Sequence, residues 1–223
     1  MIVVVGSPVG RRTKHGIDAG GVAATIARVA AAAGSDVQLV GRVGEGPTGD
    51  AVLLALAQAG IGHAAVLRDA SHPTPIARNA EEPDVVIGEI DDDATEPADG
   101  RAAEDPAVQG QPSLDGGDLQ LALGYLPDYR VVVIAEALDA SALAPVVAAA
   151  RWAGARLIVV VPTGTIGHGL PDDATVLESP PIDPDGAFAT VVGAYAAALD
   201  RGAEPAEAFA SASTGSGWSA VPD

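Results

Sequence analysis

Four short apolar runs dominate what this chain can become: Met1–Val5, Val37–Val43, Arg130–Ala135 and Leu157–Val161. They are rich in Val and Ile and show no alternation of apolar with polar residues, so each reads as a strand buried on both faces. Between them lie alanine-rich helical segments. The pattern predicts helices over Gly20–Ala33, stopped by Gly34, and over Gly49–Ala59, closed by Gly60. Ser141–Ala153 reads as a third helix, with Asp139 or Ser141 as its N-cap and Gly154 at its end. Gly186–Arg201 and Ala206–Ser213 follow, with Ile61–Leu67 and Thr175–Leu177 as further strand candidates. Doubly buried strands alternating with helices specify a mostly parallel sheet covered on both sides, a three-layer α/β sandwich.

Length and composition narrow the functions. With 223 residues the chain suits one α/β domain that buries roughly 70% of its unfolded surface and needs no disulfide or metal to hold it. It has no cysteine, which excludes thiol catalysis, Cys-ligated zinc and iron–sulfur clusters. Thirty acidic residues against twelve basic give a net charge of −18. That balance argues against nucleic acid, whose phosphates need Lys and Arg, and against anionic membranes. The acidic bias fits either a GC-rich genome, which we favour, or a high-salt cytoplasm. No apolar stretch is long enough for a membrane span, and the start lacks the basic flank of a signal peptide, so a cytoplasmic protein is expected.

One stretch breaks the pattern. Asn79 to Asp118 carries 13 of the 30 acids and a single basic residue, Arg101. Val85–Ile90 is a strand candidate inside it. From Asp91 to Gly117 there are too few apolar side chains to offset the entropy of ordering, which predicts a mobile acidic loop at about 91–117.

Several motifs are weighed against plainer readings. Gly44-Glu45-Gly46-Pro47-Thr48-Gly49 matches the glycine string of dinucleotide turns, with Asp69 twenty residues beyond. It follows the second strand rather than the first, however, and Pro47 removes an amide donor, so packing is the better account. His15, His63, His72 and His168 show no metal-ligand spacing. Neither a Walker lysine loop nor a nucleophile elbow is present.

Three segments taken together carry more information. They are Asp18-Ala19-Gly20-Gly21-Val22-Ala23-Ala24 entering a helix, Val40-Gly41-Arg42-Val43-Gly44 through Gly49, and Asp183-Pro184-Asp185-Gly186-Ala187-Phe188 opening the last long helix. In this order they resemble the ribokinase-like (PfkB-type) carbohydrate kinases, and Ala150–Ala155 resembles a turn of the same family.

The resemblance implies a single ribokinase-like α/β domain over 1–223 that uses ATP and Mg²⁺, if active, to phosphorylate a hydroxyl of a sugar or nucleoside. It implies substrate contacts at Asp18, Gly20 and Gly21, and an anion-holding turn at Gly186 and Ala187. Asp185 is then the candidate catalytic base, the group that takes the hydroxyl proton.

The departures are as informative. Aligned on Phe188, the family's catalytic position falls on Gly186 and Asp185 stands one residue early, so a helix cap is its plainer role. Pro184 cannot donate an amide hydrogen bond. Ala24 or Thr25 stands where the family carries a sugar-binding Asn. Thirteen residues between Gly6 and Gly20 are too few for lid strands, and little more than a loop separates Leu177 from Asp183, where the nucleotide region is expected. Lid and nucleotide regions are therefore expected to be reduced. Two functions remain: an ATP-dependent kinase, or a family member that has lost catalysis and serves as a small-molecule-binding or regulatory protein, with a homodimer left open.

Overall fold

The computed structural model describes residues 1–77, 114–165, 169–181, 183 and 185–215. Its centre is a six-stranded sheet of β1 (Ile2–Val5), β4 (Val37–Gly44), β5 (Gly62–Asp69), β7 (Val131–Ile134), β8 (Arg156–Pro162) and β9 (Thr175–Ser179). The strand order is β5-β4-β1-β7-β8-β9 and every neighbouring pair is parallel.

The sequence explains both coats of this sheet. Ile2 and Val4 point into one core, shared with Leu39, Val133 and the helices α1 (Gly21–Ala32), α2 (Pro47–Gln58), α5 (Ala187–Asp200) and α6 (Pro205–Gly215). Val3 and Val5 point into the other, with Val132, Ile134 and the helices α3 (Gly116–Tyr125) and α4 (Ala140–Ala153). A strand buried on both sides has no polar face to show, so its residues do not alternate. Small side chains let the helices approach closely. At Gly193 of α5, a Cβ would lie 2.8 Å from the Ile26 carbonyl oxygen of α1.

Where the interval between Gly6 and Gly20 was expected to be too short for further strands, it holds two. β2 (Val9–Thr13) and β3 (Gly16–Gly20) form an antiparallel hairpin, and β6 (Ile76–Ala77) pairs parallel to β2, giving a second, three-stranded sheet. The expectation failed on arithmetic: two five-residue strands and a two-residue turn fit the interval. The mobile loop expected at about 91–117 also ends earlier than expected. Leu114 is buried, and Asp115 caps α3 by accepting the Asp118 N–H at 2.8 Å. The strand candidate Val85–Ile90 and positions 91–113 of the expected loop lie outside the described residues.

Candidate functional site

Strand order locates the site. From β1 the chain builds outward through β4 to β5, then returns and builds the other way through β7, β8 and β9. In open parallel sheets, ligands bind outside the carboxyl ends of the strands where the order reverses. Here that crevice lies between the ends of β1 and β7, and the residues that follow these strands are Gly6-Ser7 and Ala135-Glu136.

Glu136 is half-buried there, and its Oε2 accepts the Ser7 backbone N–H at 2.7 Å. Burial pushes its carboxyl above the usual carboxylate range, and hydrogen bonds from the Ser7 amide and hydroxyl only partly offset this. Ser7 Oγ in turn accepts the Arg42 backbone N–H at 3.2 Å, tying β4 into the crevice. Two close approaches shape the floor. A Cβ at Gly41 would come 2.6 Å from the Gly6 carbonyl oxygen, and one at Gly6 would come 2.9 Å from Ala23 Cβ on α1.

Arg42 points its guanidinium away into a set of carboxylates. It is bonded to Asp118 on α3 and lies 3.7 Å from Asp69 and 3.8 Å from Asp115. Asp118 raises the Arg42 pKa further. Asp69 is held below its ordinary value by the Ser71 amide and by the His72 ring, whose Nδ1 lies 3.1 Å away. This network anchors α3 over the ends of β4 and β5.

The hairpin carries the expected substrate contacts. Asp18 faces Arg11 across it, with Oδ2 2.6 Å from Nη2. Burial pushes the Asp18 carboxyl up, but the Arg11 hydrogen bond, the Arg28 charge and the Ala19 amide bring it below its ordinary value. Gly20 and Gly21 serve contact: a Cβ on Gly20 would meet Arg11 Cβ at 2.9 Å, and Gly21 has φ +84° with Val9 at 3.2 Å. The paired glycines let β2 cross the entry of α1.

The turn before α5 lies beside that entry. Gly186 adopts a left-handed conformation, φ 66°, and a Cβ there would stand 3.6 Å from Thr25 Cγ2 on α1. Of the two positions considered for a sugar-binding polar residue, Ala24 is fully buried and Thr25 faces the turn. Asp183 closes the helix: its Oδ1 accepts the Phe188 N–H at 3.3 Å and its Oδ2 the Ala189 N–H at 3.4 Å. Asp185 is exposed immediately before Gly186.

With this geometry in hand, comparison with known proteins is decisive on one point. The model of the pfkB family carbohydrate kinases matches residues 4–163. The chain belongs to that family. Solved structures agree on the fold. Arabidopsis thaliana ribokinase, complexed with ribose and ATP, superposes with a TM-score of 0.59 at 15% identity over 96% of this chain and 90% of its own. Aminoimidazole riboside kinase from Salmonella enterica gives 0.59 at 12% identity over 100% and 94%. A search of curated proteins by sequence found no match.

Within this carbohydrate kinase fold, the structure brings Gly20, Gly21, Gly186 and Ala187 to one end of the sheet, with Asp18 on the hairpin beside them and Asp185 at the turn. The glycine string Gly44–Gly49 is used for packing. A Cβ on Gly49 would lie 2.1 Å from the Gly44 carbonyl oxygen, and one on Gly44 2.3 Å from that of His72. Sequence reading missed Glu136 and Ser7. Their only signal was a carboxylate and a hydroxyl just past two buried strands.

The amides of Phe188 and Ala189 serve the Asp183 carboxylate, so in this conformation those two are not turned to an outside anion. Between β9 and α5 no further strand is present among the described residues, and Pro184 lies outside them. Among the described residues no three His, Asp or Glu are placed to hold a metal ion, and no helix is long and apolar enough to cross a membrane.

Proposed function

We infer that the protein binds a sugar or nucleoside in the crevice between the ends of β1 and β7, and that binding rather than phosphoryl transfer is its function. The observation that carries this reading is the pair of contacts at the two sides of the cleft. Glu136, fixed by Ser7, presents a half-buried carboxylate at the switch point, while Asp183 occupies the amides that a nucleotide phosphate would need. A carboxylate held by two donors on one side keeps acceptor capacity for a ligand hydroxyl. The hairpin of β2 and β3 lies over the α1 entry and covers the same end of the sheet. Family membership supports the class of ligand.

ATP-dependent transfer is the second reading, and one observation favours it. Gly186 lies against Thr25 at the α1 entry, which keeps the exposed Asp185 at the same cleft. On this reading Asp185 would take the hydroxyl proton, and ATP with Mg²⁺ would be needed. A thermal-shift panel of D-ribose, D-fructose and adenosine, with and without Mg·ATP, separates the two. Stabilisation by a sugar or nucleoside alone, lost in Glu136→Gln, is expected. Stabilisation by Mg·ATP together with phosphorylated product would establish the kinase instead.

A further inference from the structure

At the opposite end of the sheet, the end of α4, the start of β8 and the turn before β9 enclose a cavity of about 400 Å³. Its floor includes the buried Val147, Ala150 and Leu157, and its rim carries Arg151, Arg156 and Asp173. The volume lies in the range of small-metabolite sites. The rim is what calls for explanation.

In a chain with 30 acids and 12 bases, each arginine has a surplus of carboxylates to meet. Arg11, Arg42, Arg68 and Arg130 each have a carboxylate within salt-bridge distance. Arg12, Arg28, Arg151, Arg156 and Arg201 have none among the described residues, and of these Arg151 and Arg156 flank one concavity. Capping the end of α4 does not account for Arg151. The Gly154 N–H donates to the Ala150 and Arg151 carbonyls, and the Ala155 N–H donates to Ala150, so backbone groups already serve that end. Two arginine side chains on one rim beside an apolar floor suit a phosphate group joined to a carbon skeleton, and Asp173 can accept a hydrogen bond from a hydroxyl of that skeleton. A net charge of −18 disfavours anion binding in general, so an oxyanion needs a place where local charge is reversed.

We propose that this cavity is a second ligand site, distinct from the crevice, and that it takes a small phosphate ester of a polyol through Arg151 and Arg156. Calorimetric titration at low ionic strength tests it, with inorganic phosphate, glucose 6-phosphate, gluconate and glucose as probes. Wild type is expected to bind inorganic phosphate weakly and glucose 6-phosphate at least tenfold more tightly, with gluconate weaker and any glucose binding unchanged in the double alanine variant. Arg151→Ala/Arg156→Ala, whose side chains are exposed and whose folding is checked by its melting temperature, should weaken glucose 6-phosphate at least tenfold. Arg151→Lys/Arg156→Lys should fall between, keeping charge but losing the fork. Glu136→Gln should bind glucose 6-phosphate as wild type does, which keeps the result separate from the fate of the crevice. Equal affinity in wild type and the double alanine variant, preference for gluconate, loss of affinity in Glu136→Gln, or no binding would each overturn the proposal.

Discussion

The Glu136 carboxylate accepts the Ser7 backbone N–H at 2.7 Å across the line where the sheet reverses its order of construction. β1 and β7 start 129 positions apart, at Ile2 and Val131, yet their register pairs Val5 with Ile134, which sets the two polar residues face to face just beyond. Burial raises the Glu136 pKa above its ordinary value of 4.5. The unfolded chain therefore ionises this group at lower pH than the native one does. Its contribution is fully favourable below the ordinary value and is lost as pH rises through the raised native value. Glu136→Gln keeps an acceptor for Ser7 and removes that ionisation. Urea unfolding should show the variant gaining stability relative to wild type as pH rises from 4 toward 8, while a constant difference would contradict the assignment.

The cap on α5 makes a second prediction. Asp183→Ala removes the acceptor from the Phe188 and Ala189 amides and should cost about 1 kcal/mol, with Asp183→Asn costing less because one acceptor survives. Chemical denaturation of the two variants checks the order.

Asp185 should behave differently from its neighbour. It is exposed and precedes the helix. Asp185→Asn is expected to leave the melting temperature within about two degrees and ligand stabilisation unchanged. A selective loss of ATP-dependent turnover in this variant would support the kinase reading.

Arg42 holds α3 through Asp118, with Asp69 and Asp115 within 4 Å. Arg42→Met leaves these carboxylates facing one another and should destabilise the protein by about 2 kcal/mol, since the group is partly solvated. Added salt should recover part of that loss by screening the repulsion, which a comparison of melting at low and high sodium chloride measures.

Much of the architecture could be read in advance because burial dictates it. Val131–Ile134 and Arg156–Pro162 form strands where uninterrupted Val and Ile demand two covered faces, and Gly154 ends α4 in the left-handed conformation its position predicted. The hairpin Val9–Gly20 was not legible, because Arg11, Arg12, Thr13, Lys14 and His15 are polar and nearly all solvent-facing, so they give no periodic signal. Of the candidate site, the need for glycine was legible at Gly20, Gly21 and Gly186, where a Cβ or a left-handed φ forbids other residues. The candidate site was illegible where it depends on tertiary register. Nothing local marks Glu136, because its partner Ser7 is 129 positions away. Asp183 was passed over in favour of Asp185, since only coordinates show which carboxylate turns back onto the helix.

The most direct test of the account is calorimetric titration of the wild-type protein with Mg·ATP. With Asp183 seated on the amides of α5, no binding heat is expected up to millimolar nucleotide. A micromolar dissociation constant would contradict the account and return the protein to phosphoryl transfer.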